Sequence, residues 1–260
     1  MSLAAKLRVV GALGLRSVRQ TFRRPQLMAP IIVFPTLLLA IQTGGAGSAI
    51  DLPGFPPVQS FLQFMLAGAM MQSLMLAGNS GGIALAVDIE MGFTDRLFAA
   101  PIPRYTIVLG RLAGTAALGL FSALWFLAIG LIFGAEIHSG VPGALIAIVL
   151  VTATAMAVGG LGAAIALRTG SASVVQGLFP LVLVLLFIST AFFPESLMIE
   201  PAKTIAAYNP LSFIVEGIRN PIIADVDAAD LLYAVLAIAG IVVAGLALSA
   251  SALRHRLRVG

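Results

Sequence analysis

Charged side chains are rare in the middle of this chain, and five of them lie in one run, Asp88–Arg104. The run also carries five large apolar side chains, namely Ile89, Met91, Phe93, Leu97 and Phe98. Residues mixed in this way can form ion pairs and apolar contacts with a docking partner, and a short amphipathic helix ending before Pro101 would present them together. The alternative interpretation is a solvated connector that lies on lipid headgroups.

Most catalytic groupings are missing from the sequence. There is no cysteine, which excludes disulfides, thiolate metal sites and cysteine nucleophiles. The two histidines, His138 and His255, have no metal-ligand or acid–base partner at a useful spacing. A phosphate-binding loop of the form Gly-x-x-x-x-Gly-Lys-[Ser/Thr] is also missing, so a second polypeptide must bind ATP if ATP drives this protein. We therefore expect no catalytic residue, no bound metal and no cofactor in this chain.

The elements that position the 88–104 run are predicted to be membrane-spanning helices. Apolar residues make up 60% of the chain and charged residues 10%, which is typical of an integral membrane protein. A helix of about 20 apolar residues crosses a bilayer, and this length predicts two spans in residues 26–87, three in 105–192 and one in 228–253. Within the second span, Asn79-Ser80-Gly81-Gly82 is expected to break the helix.

Residues 1–24 are predicted to form an amphipathic helix on the membrane surface. Apolar residues recur there at steps of three and four, and no signal peptide is evident. The arginines of the polar face are Arg8, Arg16, Arg19 and Arg23. Basic residues beside an apolar stripe favour the anionic inner leaflet. The alternative is an ordinary basic flank to the first span.

Residues 193–227 are interrupted by four prolines, so neither half is long enough to cross a bilayer. We expect two short helices that enter the membrane and return, or lie on its surface. Asn209 is predicted to cap the second of them, with Pro210 at its first position. The charged residues predicted to form a rim on this segment are Glu195, Glu216 and Arg219, and the i, i+3 spacing of Glu216 and Arg219 suggests an ion pair.

The distribution of charge predicts the orientation of the chain. With six spans and both termini in the cytoplasm, thirteen of the fifteen basic residues lie inside and eight of the eleven acidic residues lie outside. This placement accounts for the net charge of +4 without a nucleic-acid partner. The predicted fold is an all-α polytopic membrane protein with an N-terminal interfacial helix and re-entrant extracellular helices between spans five and six.

Polar residues within the spans are candidates for lining a transport pathway. The four most prominent are Gln63, Gln72, Asn79 and Gln176. The alternative for each is an interhelical hydrogen bond. No span carries a charged residue near its middle, which disfavours a proton-driven carrier because such carriers use a buried ionisable side chain as proton relay.

The order of these features resembles the ABC-2 type permeases of ATP-driven exporters, and the resemblance extends over most of the chain. The matching stretches are Glu90–Arg104 between spans two and three, Leu109-Gly110-Arg111 after it, Phe193-Pro194-Glu195 after span five, Tyr208-Asn209-Pro210-Leu211, and Glu216-Gly217-Ile218-Arg219. Within the family, the 88–104 run looks most similar to the daunorubicin-resistance type of drug and lipid exporter permeases.

The resemblance implies a coupling helix at 88–104 that docks on a cytosolic ABC ATPase subunit. Its expected contact residues are Glu90, Phe93, Asp95, Arg96 and Arg104. It further implies that residues 1–24 lie on inner-leaflet lipids, that residues 193–227 close an extracellular gate, and that ATP and Mg²⁺ are bound by the partner subunit.

The same resemblance implies a working unit of two ATPase copies and two permeases, as a homodimer or with a related chain. The substrate would be an amphipathic drug-like or lipid-like molecule exported across a bacterial cell membrane. A polysaccharide or glycolipid exporter is the alternative, although the single tryptophan, Trp125, offers little for stacking on sugars. An ATP-independent channel or facilitator and a purely structural membrane subunit are further alternatives.

Overall fold

The computed structural model describes residues 3–23, 25–93 and 104–259, and the regular secondary structure within these ranges is helical, as predicted. The α-helices in these ranges are α1 Leu3–Phe22, α2 Pro25–Ala46, α3 Phe61–Glu90, α4 Arg104–Ile132, α5 Gly140–Thr169, α6 Ala172–Gly177, α7 Phe179–Phe187, α8 Ala202–Tyr208, α9 Pro210–Ile223 and α10 Ala228–Val259. Short 3-10 helices follow α2 and precede α8, at Gly47–Asp51 and Glu195–Leu197.

Five helical segments of the described chain are long and apolar enough to cross a membrane, whereas the sequence predicts six spans. These segments are Met28–Asp51, Phe61–Glu90, Leu109–Ile132, Gly140–Thr169 and Ala228–Ser249. The predicted fifth span, 172–192, consists of the shorter helices α6 and α7, which are separated at Leu178. Pro180 has no amide hydrogen to donate to the preceding turn, which accounts for the interruption. Residues 172–187 reach only about 24 Å as a helix, against a hydrocarbon core of about 30 Å.

Helix α3 is the axis of the bundle. In its most apolar 18-residue stretch 94% of the residues are buried, compared with 17% in the corresponding stretches of the first and last spans. It packs against α2, α4, α5, α6 and α9. The long helices α2, α4 and α5 therefore lie around α3, whereas α10 packs against α5 and α9.

The expected break at Asn79-Ser80-Gly81-Gly82 is wrong, because α3 is continuous from Phe61 to Glu90. The glycines instead permit close contact between helices. A Cβ atom on Gly82 would lie 2.8 Å from the Cα of Gly162 in α5. A Cβ on Gly78 would similarly lie 2.6 Å from a methyl of Val158. Small residues let helix backbones approach in membranes, so these glycines act in packing rather than in bending.

The bundle has two chemically different ends. Four parts of the chain meet at the basic end: α1, residues 84–93, the start of α4 and the connection from α5 to α6. The acidic end contains residues 51–60, 133–139 and 188–227, including Glu136, Glu195 and Glu216. These two names are used below for the two ends.

Helices α8 and α9 lie at the acidic end. The predicted cap of α9 is confirmed. The Asn209 side chain accepts a hydrogen bond from the N–H of Leu211 at 2.9 Å, and Pro210 is the first residue of the helix. The Asn209 amide also donates to the carbonyl of Leu185 at 2.7 Å. Helix α9 packs against α3, α5 and α10, so it lies within the protein rather than on its surface.

Candidate functional sites at the two ends of the bundle

Helix α1 lies against the first turns of α4 at the basic end. A Cβ on Gly110 would lie 2.4 Å from the Cβ of Leu13, and one on Gly114 would lie 2.3 Å from the hydroxyl of Ser17. The Ser17 hydroxyl also donates to the carbonyl of Arg111 at 3.2 Å. Only glycine fits this crossing, which gives Gly110 in the Leu109-Gly110-Arg111 stretch a packing role. The predicted polar face of α1 is exposed at Arg8, Arg16, Arg19 and Arg23.

We call residues 91–103, the part of the predicted coupling helix that lies between α3 and α4, the docking run. Arg16 of the exposed face of α1 contacts its beginning. Its guanidinium carbon lies 4.0 Å from the centre of the Phe93 ring, which is the geometry of a cation–π contact. The helix predicted to lie on the membrane surface and the run predicted to bind a partner are therefore in direct contact.

An ion pair joins the two helices on either side of the docking run. Arg111, near the start of α4, pairs with Asp88, near the end of α3, and also donates to the carbonyl of Ala84 at 2.8 Å. Both side chains are about nine-tenths buried, with exposed fractions of 10% and 12%. Solvent screening is weak at such a site, and separating the two groups would leave a poorly solvated charge. The pair therefore fixes the ends of α3 and α4 relative to each other.

Glu90 joins the end of α3 to the start of α6 at this end. Its carboxylate Oε1 accepts a hydrogen bond from the N–H of Ala172, the first residue of α6, at 2.7 Å. The first amide groups of a helix have no partner within the helix, and Glu90 provides one. We define the basic-end joint as Arg16, Asp88, Glu90, Phe93 and Arg111.

The remaining residues predicted to contact a partner are largely outside the described structure. Asp95 and Arg96 lie outside the described residues. Arg104 is the first residue of α4, and its side chain is likewise outside the described part. Their predicted roles stay predictions.

The four predicted pathway residues do not form one site. Gln63 lies at the acidic end and is 2% exposed, and its amide donates to the carbonyls of Glu136 and Ile222 at 2.8 and 3.1 Å. Gln72 is buried in the middle of α3, and both polar atoms of its amide lack a hydrogen-bond partner within the described chain. Asn79 lines a small apolar cavity between α3, α5 and α7, whereas Gln176 is exposed on α6.

Arg219 is the central residue of the acidic end. It was expected on a charged rim, but it is 2% exposed and makes its contacts inside the protein. It donates to the carbonyls of Phe64, Thr190 and Ala191 at 3.3, 2.7 and 2.9 Å. It also pairs with Glu216 at 2.8 Å, the i, i+3 pairing that the sequence suggested, and its guanidinium lies 4.0 Å from the centre of the Phe64 ring. Arg219 thus joins α9 to the start of α3 and to the residues that follow α7.

Beside Arg219 lies an open cavity of about 440 Å³, which we call the acidic-end cavity. Its walls carry the carboxylates of Glu195, Glu216 and Asp230 and the aromatic rings of Phe64, Phe213 and Tyr233. The Asn220 amide donates to the Asp230 carboxylate within the same wall. Sequence reasoning did not find Asp230, which the fold brings to the cavity from the first turn of α10.

Within the described residues, no three histidine, aspartate or glutamate side chains are grouped as a metal site. The basic end has a group of contacts that join several helices, and the acidic end has a cavity large enough for a small ligand.

Comparisons with known proteins agree with this architecture. A family model described as "ABC-2 type transporter" matches residues 8–223, which extend from α1 to the last residue of α9. The chain is 29% identical over 215 residues to "Putative transport permease ycf38" of Porphyra purpurea, covering 81% of this chain and 72% of that protein. The protein of the same name from Pyropia yezoensis is 28% identical with the same coverage. Both relatives come from algal plastids, and the bacterial source expected from the sequence stays a prediction.

The family match covers the basic-end joint, the bundle axis α3 and the buried helix α9. Members of this family normally work with an ATPase subunit. This multi-pass membrane chain therefore belongs to the ABC-2 type transporter family of transport permeases.

Proposed function

We propose that this chain is the permease subunit of an ATP-driven exporter. A separate chain hydrolyses ATP, and the permease moves an amphipathic drug-like or lipid-like substrate out of the cytoplasm or the inner leaflet. The working unit contains two ATPase subunits and two permeases, the second permease being another copy of this chain or a related one.

The basic-end joint is the observation that carries this proposal. The docking run leaves α3 after Glu90 and re-enters the bundle at α4, and the Asp88–Arg111 pair holds these two points together. Arg16 connects the run to α1, and Glu90 connects it to α6. A partner that moved the docking run would consequently displace four helices of the permease together.

The contacts of the segment 172–191 support a sixth membrane crossing. Ala172 bonds to Glu90 at the basic end, and the carbonyl of Ala191 bonds to Arg219 at the acidic end. These contacts are the ones expected of a segment that extends from one end of the bundle to the other, although α6 and α7 are individually short. With this crossing included, both termini would lie on the same side, and the excess of arginine supports the cytoplasm as that side.

In this orientation residues 193–227 are extracellular re-entrant helices, and α1 lies on the inner leaflet. Helix α9 fits this description because it is buried within the protein, where a non-spanning segment at membrane depth is tolerated.

An amphipathic substrate is favoured over a glycan by the position of the only tryptophan. Trp125 lies on the exposed side of α4, where its indole N–H donates to the hydroxyl of Thr36 at 3.0 Å. It is therefore directed toward α2 at the outside of the bundle and not into the acidic-end cavity. No tryptophan remains to stack on sugar rings along an internal route.

Purification from the native membrane in mild detergent tests the proposal. We expect a stoichiometric partner that carries a phosphate-binding loop, and we expect the double variant Phe93→Ala, Asp95→Ala to lose this partner or to uncouple hydrolysis from export. The matched control is Phe133→Ala, Asp51→Ala, because Phe133 and Asp51 are exposed at the acidic end. A folded wild-type chain that purifies alone, or normal export by the first double variant at matched expression, would contradict the proposal.

A further inference from the structure

We propose that the acidic-end cavity is a binding site for amphipathic cations. Its role in export rests on the proposed function above, since the cavity would receive the substrate on the extracellular side. Binding itself depends only on the cavity and is measurable without an ATPase.

The size and walls of the cavity suit a small amphipathic molecule. Its volume of about 440 Å³ lies within the range of about 300–1,000 Å³ that is usual for small-molecule sites. Phe213 and Tyr233 form a tilted pair with ring centres 5.7 Å apart, and the Phe64 ring completes the apolar surface. Aromatic faces attract cations as well as apolar groups, so these walls favour a ligand that has both.

The charges of the cavity favour a positive ligand. Arg219 is the basic side chain of the wall, and its hydrogen bonds to Glu216 and to three carbonyls already engage it. Glu195 is exposed, and Asp230 is bonded to the neutral amide of Asn220. Two carboxylates of the wall are therefore not neutralised by Arg219. A cation in the cavity would be attracted to both carboxylates.

Asp230 is surrounded by further negative charge. It interacts electrostatically with Asp227 and with Glu216, which repel it. Like charges in a partly enclosed wall raise the energy of the empty site, and a bound cation lowers it whereas an anion would raise it further. The wall therefore selects ligands by the sign of their charge.

The cavity also contains a polar group without a partner. Thr190 lines the cavity and is 4% exposed, and its hydroxyl has no hydrogen-bond partner within the described chain. A buried hydroxyl usually has a partner. The Thr190 oxygen is closed to solvent in this conformation, and a rotation of the side chain toward the cavity would let a polar group of the ligand supply that partner. Thr190 also provides a carbonyl to Arg219, so the cavity adjoins the contact that joins α9 to the residues after α7.

Equilibrium binding to the purified full-length chain in lipid nanodiscs tests this proposal. The probe is radiolabelled tetraphenylphosphonium. The size-matched anion, radiolabelled tetraphenylborate, is measured in separate samples because the two ions form an insoluble pair, and empty nanodiscs correct for partition into lipid. We expect saturable binding of the cation that weakens with rising salt, because salt screens exposed charges. Tetraphenylborate should show no saturable binding to the protein.

Two variants locate the site. We expect Glu195→Gln, Asp230→Asn to weaken binding about tenfold, since it removes two unneutralised charges near the ligand. The matched control Glu200→Gln, Asp51→Asn changes two exposed carboxylates outside the cavity and should bind as the wild type does. Ala207→Trp places a large side chain in the cavity without changing charge, and it should weaken binding as well.

Wild-type binding in both Glu195→Gln, Asp230→Asn and Ala207→Trp would overturn the proposal, as would saturable binding of tetraphenylborate with equal affinity. Each variant is compared at equal monodispersity, and Ala207→Trp decides the question if the charge variant fails to fold.

Co-purification of an ATPase separates the two proposals. If the chain binds its ATPase but not the cation, only the proposed cation site is contradicted. If it binds the cation but no ATPase, only the proposed exporter function is contradicted.

Discussion

The carboxylate of Glu90, the last residue of α3, accepts a hydrogen bond from the N–H of Ala172, the first residue of α6, at 2.7 Å. The two residues are 82 positions apart in the sequence, and they connect the docking run with the segment that reaches the acidic end. Under the proposed function, a motion of the run would act on α6 through this side chain, in addition to the covalent route through α3 and α4.

We predict that Glu90→Ala uncouples hydrolysis from export, whereas Glu90→Gln retains most activity because the amide oxygen still accepts the hydrogen bond. The hydrogen bond from Ala172 to Glu90 is exposed, and such a bond contributes about 0.5–1.5 kcal/mol, so export by Glu90→Ala should fall about two- to tenfold. Export by membrane vesicles and ATP hydrolysis are measured on the same preparation. Loss of the ATPase subunit in both variants would show instead that the charge of Glu90 contacts the partner directly.

Cysteine labelling will test the six-crossing orientation. The chain has no cysteine, so single substitutions at exposed positions report unambiguously. We expect Asp51→Cys and Lys203→Cys to react with an impermeant maleimide in intact cells, and Thr169→Cys to react only after permeabilisation, because residues 172–191 lie between the two ends. Protection of Lys203→Cys together with Thr169→Cys would show that this segment does not cross.

We predict that Gly82→Ala destabilises the bundle. Its new Cβ would lie 2.8 Å from the backbone of Gly162, and overpacking of this kind costs about 1–3 kcal/mol. The control is Gly45→Ala in α2, where no atom lies within 4 Å and where alanine stabilises a helix by up to about 1 kcal/mol. Denaturant unfolding in detergent gives both values. Equal midpoints for the two variants would contradict the close contact between α3 and α5.

Arg219→Ala should lower the free energy of unfolding by about 3–5 kcal/mol, because it leaves the buried carbonyls of Phe64, Thr190 and Ala191 without their donor. Arg219→Lys should recover only part of this loss, since one ammonium cannot reach three carbonyls and a carboxylate from a single position. The exchange Glu216→Arg, Arg219→Glu should not restore stability either, because carbonyls accept from arginine and cannot donate to glutamate. Full rescue by the exchange would indicate that the ion pair alone matters, and full export by it would argue against a gating role.

Much of the fold was predictable because hydropathy and capping are local. The apolar lengths predicted the five long helices, and the Asn209-Pro210 pair predicted the start of α9. The same local reasoning failed at Asn79-Ser80-Gly81-Gly82. A glycine in the sequence is compatible both with a break in a helix and with close packing against a neighbouring helix. Only the position of Gly162 in the fold shows that Gly82 is used for packing.

The candidate sites were less predictable because their contacts join distant residues. Asp88 and Arg111 are 23 positions apart, and their pairing depends on the antiparallel placement of α3 and α4. Arg219 was recognised as a partner of Glu216 from the i, i+3 spacing. Its three backbone acceptors carry no sequence signal, which explains why a buried position was mistaken for a rim.

The burial of α3 has a consequence for the order of membrane insertion. Of the five long spans, α3 has the lowest mean hydropathy, 1.4, and it is the one most enclosed by protein. It leaves the ribosome before α4, α5 and α9, which cover it. Its glycines and the Gln72 amide therefore face lipid or the insertion machinery until later helices arrive. A nascent chain ending soon after α3 should be held or degraded, whereas one extended through α5 should be retained in the bilayer, which pulse-chase of truncated chains would show.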